Sequence, residues 1–143
     1  MTFWDSSALL ALLMGEPGAA ILVGLMDVDP NVVMWWGTPV ELVSGVCRVR
    51  RETGFDGAAM SSIMERIDRH AAKSEQVDPS EQVRRAAMRV LRVHDLRAGD
   101  AFQLAAALIW ADHNPNCARF VCLDKRLREA AEREGFAVLP HIV

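Results

Sequence analysis

Four short apolar runs determine the kind of fold that this chain can adopt. They occupy residues 1–4, 31–37, 118–124 and 136–140, and turn residues or helical segments separate each run from the next. Apolar runs of this length are typical of strands that are buried on both faces. Strands that alternate with helices form βαβ units, in which the strands are parallel. We therefore expect an α/β fold, a three-layer α/β/α sandwich with a central parallel sheet of four to five strands.

The segments between these runs are predicted to be helical. Their apolar periodicity and their turn residues place helices over residues 7–14, 19–26, 38–52, 56–73, 80–93, 96–112 and 125–135. A weak edge strand around Gln76 and Val77 would be the fifth strand. The chain has no evident linker, repeat or low-complexity tract, and 143 residues suffice for one domain with a substantial core. We therefore predict a single domain over residues 1–143.

Composition limits the classes of function and location. The net charge is −3, from 16 Lys+Arg against 19 Asp+Glu, so a polyanionic ligand would need local cations or metal ions. Cys47, Cys117 and Cys122 have no CxxC spacing, which fits reduced thiols better than disulfides or a zinc site. There is no signal-like basic N-terminal region, and no apolar run approaches the roughly 20 residues of a membrane span. We expect a cytoplasmic protein without membrane association, with its four histidines on turns or on the surface.

Two of the predicted strands end on an acidic residue. Asp5 closes the run MTFWD and Asp124 closes FVCLD, and a helix follows each. The carboxyl ends of parallel strands meet at one edge of the sheet, where ligands bind in open α/β folds, so both acids should lie at that edge. A structural role is the alternative, because an Asp before a helix commonly accepts hydrogen bonds from its first turn.

Two further acids are expected to reach the same edge from helices. Glu41 lies one turn into the helix after the second strand, and Asp100 lies near the start of the helix before the strand that ends at Asp124. A crossover helix runs antiparallel to the strands, so its N-terminus lies at their carboxyl edge. Glu41 has a structural alternative, a capping box with Thr38. For Asp100, capping is the weaker alternative, because Asp95 is better placed to cap that helix.

Four neighbouring carboxylates need compensation. Two like charges about 4 Å apart repel by roughly 4 kcal/mol at an effective dielectric constant near 20. Ligand sets made of carboxylates, without His or Cys, favour hard cations. The pattern therefore predicts a site for Mg²⁺ or Mn²⁺, and such ions can activate water and neutralise charge during phosphodiester hydrolysis.

In this order and spacing, four motifs resemble those of PIN domains, specifically the VapC-type toxin ribonucleases of bacterial toxin–antitoxin pairs. The motifs are DSSALLALL, TPVELVSG, LRAGDAFQLAAAL and FVCLDKRLREAAEREGF, and the resemblance covers essentially the whole chain. It implies a metal-dependent endoribonuclease, a hydrolase that forms homodimers and is inhibited by an antitoxin protein. Matched motif by motif, the acids of the family fall on Asp5, Glu41, Asp100 and Asp124.

The resemblance also suggests roles for individual residues. We expect Asp5, Asp100 and Asp124 to be metal ligands, directly or through water. Glu41 is expected to be a further ligand or the group that orients the attacking water. Candidate RNA-binding cations are Arg48, Arg51, Arg97, Lys125 and Arg126.

Two features depart from the family pattern. Cys122 stands two residues before the last acid, where many relatives have Thr or Ser, so Ser6 or Ser7 is expected to supply a hydroxyl instead. The tandem Trp35-Trp36 is unusual, and we expect it to pack in the core or at a dimer interface rather than to stack on bases.

Other functions stay open at this point. A PIN nuclease that matures RNA without an antitoxin and a non-catalytic RNA-binding domain would share these motifs. A phosphatase with an aspartyl nucleophile would use the same sheet edge, but such enzymes usually carry a second Asp two residues after the first, where this chain has Ser7.

Overall fold

The computed structural model describes residues 1–116 and 118–141. The strands in those ranges are β1 (Thr2–Trp4), β2 (Val32–Trp35), β3 (Glu75–Val77), β4 (Arg119–Val121) and β5 (Ala137–Leu139). The helices are α1 (Ser6–Met14), α2 (Ala19–Val28), α3 (Thr38–Thr53), α4 (Gly57–Lys73), α5 (Glu81–Val93), α6 (Ala98–Trp110) and α7 (Lys125–Glu134). Cys47 and Cys122 are free thiols. The prediction for Cys117 falls outside the described residues.

The five strands form one parallel sheet in the order β3-β2-β1-β4-β5. The predicted α/β/α sandwich with a central parallel sheet is therefore confirmed, including the edge strand β3. The first strand pairs with β2 on one side and with β4 on the other. Asp5 extends this pairing, because its backbone N–H donates to the carbonyl of Val121 at 2.9 Å. The residues that follow β1 and β4 consequently lie side by side at the centre of the sheet's carboxyl edge.

A hydrophobic core covers each face of the sheet. Successive side chains of a strand point to opposite faces, so Phe3 and Trp4 belong to different cores. Phe3 packs with α5, α6 and α7, where α6 contributes a nearly continuous row of buried Ala and Leu residues. Trp4 packs with α1 to α4 on the other face. The central strands β1 and β2 are buried along their whole length because both faces are covered, whereas the edge strand β3 is partly exposed.

Two predicted helix caps are not formed. The predicted capping box fails because α3 begins one residue earlier than expected: Gly37 is its N-cap, and Thr38 is already helical and fully buried. Asp95 does not cap α6 either, since Arg97 occupies the N-cap position and makes no side-chain capping bond. Asp95 is instead exposed and lies 3.7 Å from Arg126. Capping therefore does not account for Glu41.

Two other expectations concern Trp35-Trp36 and His94. Trp35 is buried and stacks on Phe102 with the ring centroids 5.5 Å apart, as expected for core packing, and the dimer contact expected for such residues stays a prediction for Trp36, which is 55% exposed. His94 lies in the bend that ends α5, as expected for a turn residue, but it is not exposed. It is buried, and its Nε2 lies 2.8 Å from a carboxylate oxygen of Glu134, a residue 40 positions away that no local pattern could reveal.

Among the described residues, no individual helix has both the length and the apolar composition to cross a bilayer, and α1 and α2 meet those criteria only as a pair bent by 110°.

Candidate active site

The four predicted acids line one cavity at the carboxyl edge of the sheet. The cavity has a volume of about 730 Å³ and runs from the loop before α7 along the groove between α1 and α3. Asp5 comes from the end of β1, Glu41 from α3, Asp100 from the first turn of α6, and Asp124 from the loop after β4. Four segments that are distant in sequence therefore bring their carboxylates to the same space.

Asp5 is the most deeply buried member of this set. It is 2% exposed, and it caps α1 by accepting a hydrogen bond on Oδ2 from the Ser7 N–H at 3.0 Å. Burial raises the pKa of Asp5 to about 6, despite the Ser7 hydrogen bonds, and the charges of Glu41 and Asp100 add to the rise. The described hydrogen bonds to this carboxylate all end on Oδ2. Asp5 thus caps α1 through Oδ2, and its Oδ1 can bind a ligand such as a cation.

Ser7 ties the two strand-end segments together. Its hydroxyl donates to Asp5 Oδ2 and accepts a hydrogen bond from the N–H of Leu123 at 2.9 Å. The Cys122 thiol also lies 3.5 Å from Asp5 Oδ2, and burial together with the Asp5 charge raises the pKa of that thiol, so it stays protonated and can donate. Ser7 and Cys122 therefore both donate to the same oxygen of Asp5, and the thiol is the weaker donor.

Glu41 is held by a side chain from α1. Ser6 Oγ donates to Glu41 Oε2 at 2.7 Å. Burial raises the pKa of Glu41, hydrogen bonding from Ser6 and Gln103 opposes that rise, and the Asp100 charge adds to it. A Cβ placed on Gly99 would lie 3.8 Å from Glu41 Oε1, so the carboxylate reaches the first turn of α6.

Asp100 and Asp124 form the outer part of the acidic set. Burial raises the pKa of Asp100, and the nearby charge of Asp124 raises it further. Asp124 is exposed and caps α7, because its Oδ1 accepts a hydrogen bond from the Leu127 N–H at 2.9 Å. Asp100 lies in the first turn of α6, where hydrogen bonding from the backbone N–H of the N-cap residue Arg97 opposes the rise in its pKa.

The donor set suits a hard divalent cation, since it consists of carboxylate and hydroxyl oxygens. In residues 1–116 and 118–141, no three His, Cys, Asp or Glu side chains are gathered tightly enough to form a ready-made metal site. A complete protein cage is not needed for Mg²⁺, which keeps several waters and is commonly held by one or two carboxylates together with substrate phosphates. The residues that could hold the ion are Asp5, Asp100 and Asp124, with Glu41 beside them.

Only some of the predicted RNA-binding cations line the cavity. Arg48 and Arg97 line the cavity together with the acids. Arg126 lies outside the lining, but its charge lowers the pKa of Asp100 and so acts on the site. Arg51 and Lys125 are exposed and do not line the cavity.

The sequence interpretation missed Gln103. This side chain is fully buried, and its Nε2 donates to Thr38 Oγ1 at 3.0 Å. One signal in the sequence could have identified it. Gln103 is an amide three residues after Asp100, on a helix face that otherwise consists of Ala and Leu.

The fold is shared with solved structures of low sequence identity. FitAcB from Neisseria gonorrhoeae matches with a TM-score of 0.68 and 17% identity over 98% of this chain and 97% of that one. FitAB bound to an IR36 DNA fragment matches with a TM-score of 0.66 and 16% identity, covering 97% and 94% of the two chains. A toxin–antitoxin complex from Klebsiella pneumoniae matches with a TM-score of 0.64 and 15% identity, covering 88% and 89%.

The chain has the fold of these proteins. No family model and no curated protein sequence matches it.

Proposed function

We propose that this protein is a metal-dependent endoribonuclease of the PIN type and the toxin of a toxin–antitoxin pair. The observation that carries the proposal is the convergence of Asp5, Glu41, Asp100 and Asp124 on one cavity at the carboxyl edge of the sheet. Support also comes from the fold, which is shared with a toxin–antitoxin complex from Klebsiella pneumoniae.

The cofactor in this proposal is Mg²⁺ or Mn²⁺. When bound, such an ion lowers the pKa of a water ligand and stabilises negative charge on a phosphoryl oxygen. Asp5, Asp100 and Asp124 would hold it, with Ser7 keeping Asp5 in place through its hydroxyl. Glu41, fixed by Ser6, would orient the attacking water and accept its proton.

Phosphate recognition would fall to the cations at the cavity. Arg48 lies in the groove between α1 and α3, and Arg97 lies next to the first turn of α6. Both can pair with backbone phosphates, which is how most nucleic-acid contacts position a strand without reading its sequence. The open groove fits a single-stranded or looped RNA, whose backbone can bend into the site.

The cleavage assay centres on Asp100, because Asn at this position removes the charge and keeps an acceptor oxygen for the Arg97 N–H. Purified protein should cleave a structured RNA in Mg²⁺ or Mn²⁺, and a chelator should abolish cleavage reversibly. Asp100→Asn should lower the rate by roughly 10²-fold or more, the scale on which active-site electrostatic groups act. Asp68→Asn, which removes the same charge from an exposed position on α4, should leave the rate unchanged.

Two outcomes of that assay count against the proposal. Wild-type protein that leaves RNA intact with either metal contradicts the activity. An active wild type together with a fully active Asp100→Asn variant contradicts the site.

The proposed partners are an antitoxin protein and a second copy of the chain. A short reading frame directly upstream should encode the antitoxin, and its co-expression should abolish growth arrest caused by this protein. Growth arrest that persists with the co-expressed product would favour an RNA-maturing nuclease without an antitoxin. The chain has a mass of 15.8 kDa, and size-exclusion chromatography with light scattering should give twice that mass.

A further inference from the structure

Gln103 is a polar side chain in the centre of an apolar helix face. Its neighbours on the buried side of α6 are Ala and Leu residues, and Gln103 itself is fully buried. Its Nε2 donates to Thr38 Oγ1 at 3.0 Å, whereas its Oε1 has no hydrogen-bond partner among the described residues. A buried amide with one unsatisfied end is unfavourable for folding. Core packing alone would therefore favour an apolar residue of the same size.

The position of Gln103 links it to the acidic cavity. It lies three residues after Asp100, and residues three apart in a helix share a face. Its partner Thr38 begins α3, the helix that carries Glu41 one turn further on. Gln103 thus joins the helix of Asp100 to the helix of Glu41, where the two helices meet at the sheet edge.

Glu41 lies between α1, which Asp5 caps, and α6, which carries Asp100. Ser6, next to Asp5 in sequence, donates to Glu41 Oε2 at 2.7 Å. On the other side, Glu41 Oε1 reaches the first turn of α6, where a Cβ on Gly99 would lie 3.8 Å away, an ordinary contact distance. Gln103, on the same helix, holds the first turn of α3, which carries Glu41, through its bond to Thr38 Oγ1. The carboxylate is consequently fixed relative to both Asp5 and Asp100.

We infer that Gln103 is a positioning residue of the active site, which fixes Glu41 and the first turn of α3 against the helix of Asp100. The inference rests on the proposed function, because it gives Glu41 a place in the same reaction. Residues of this kind, one step removed from a metal or a reacting group, typically change activity or metal affinity by 10–100-fold when they are replaced.

The test uses Gln103→Met, which keeps the volume of the side chain and removes the amide. The unfolding midpoint should change little, because the unsatisfied Gln103 oxygen is removed while the buried Thr38 hydroxyl loses its donor. RNA cleavage should show a kcat 10–100-fold lower with KM unchanged, because the RNA contacts are intact. Leu104→Met is the matched control, a similar swap at the next buried position of α6, and it should leave kcat unchanged.

A second measurement does not depend on activity. NMR of the Glu41 side chain should show one preferred rotamer in the wild type and in Leu104→Met, and averaged rotamers in Gln103→Met. Wild type that fails to cleave RNA would count against the proposed function alone, and the NMR comparison would still decide the inference. The inference is overturned if Glu41 keeps one rotamer in Gln103→Met. It is also overturned if kcat falls only in proportion to a loss of folded protein.

Discussion

Replacing Asp5 with Asn should make the metal-free protein more stable at neutral pH while abolishing its activity. The Asn side chain can keep the capping bond from the Ser7 N–H, because its Oδ1 is an acceptor. What it removes is a buried charge, whose cost appears as the rise in the pKa of Asp5 from 3.8 to about 6. That rise corresponds to about 3 kcal/mol of stability.

The sign of the pH dependence follows from the direction of the rise. A carboxyl whose pKa is higher in the folded state binds protons more tightly there, so its contribution favours folding at low pH. That contribution is lost as the pH rises from about 4 through about 6. Across this pH range the free energy of unfolding of the metal-free wild type should therefore fall by up to about 3 kcal/mol more than that of Asp5→Asn.

Urea unfolding of both proteins in a chelator, at a series of pH values from about 4 to 8, measures the difference directly. The difference between the two unfolding free energies should be small at pH 4 and should grow to about 3 kcal/mol in favour of Asp5→Asn at pH 8. Addition of Mg²⁺ at pH 8 should stabilise the wild type more than the variant. A difference that is independent of pH, or that favours the wild type at pH 8 in chelator, would refute the reasoning.

Two further predictions concern other charges. Burial would raise the pKa of Asp29, but hydrogen bonds from the Met1 terminal ammonium and Thr2 lower it to about 2. Asp29→Asn should therefore lower the free energy of unfolding by about 2 kcal/mol at pH 7, and by progressively less below about pH 4. Urea unfolding at pH 7 and near pH 2.5 checks this, and an equal loss at both contradicts it. In an Asp100→Asn background, Arg48→Gln should weaken RNA binding and reduce the slope of log affinity against log salt by about 1, whereas Arg51→Gln should change neither. Equal effects of the two substitutions would remove Arg48 from the RNA-binding surface.

The parts of the fold that could be predicted are those that depend on short-range patterns. Apolar runs identify β1, β2, β4 and β5, and the handedness and direction of parallel crossovers then place Asp5 and Asp124 on one edge. The same rules bring Asp100 there, although it precedes its strand by 19 residues. The single-domain organisation, the cytoplasmic location and the metal stay predictions.

The parts that could not be predicted depend on partners far away in sequence. His94 is buried because Glu134 supplies a partner 40 residues later, and Gln103 finds Thr38 across 65 residues. The position of Asp95 predicts a cap, but α6 starts at Ala98, so its N-cap position falls on Arg97. Local propensity does not contain such contacts, since they exist only once the helices have packed.

Anomalous diffraction from crystals soaked in Mn²⁺ tests most directly whether the acids form one metal site. We expect a peak in the cavity, coordinated by carboxylate oxygens from at least two of Asp5, Asp100 and Asp124. In crystals of Asp100→Asn this peak should weaken or vanish. Crystals that take up Mn²⁺ only elsewhere, or not at all at saturating concentration, would contradict the account.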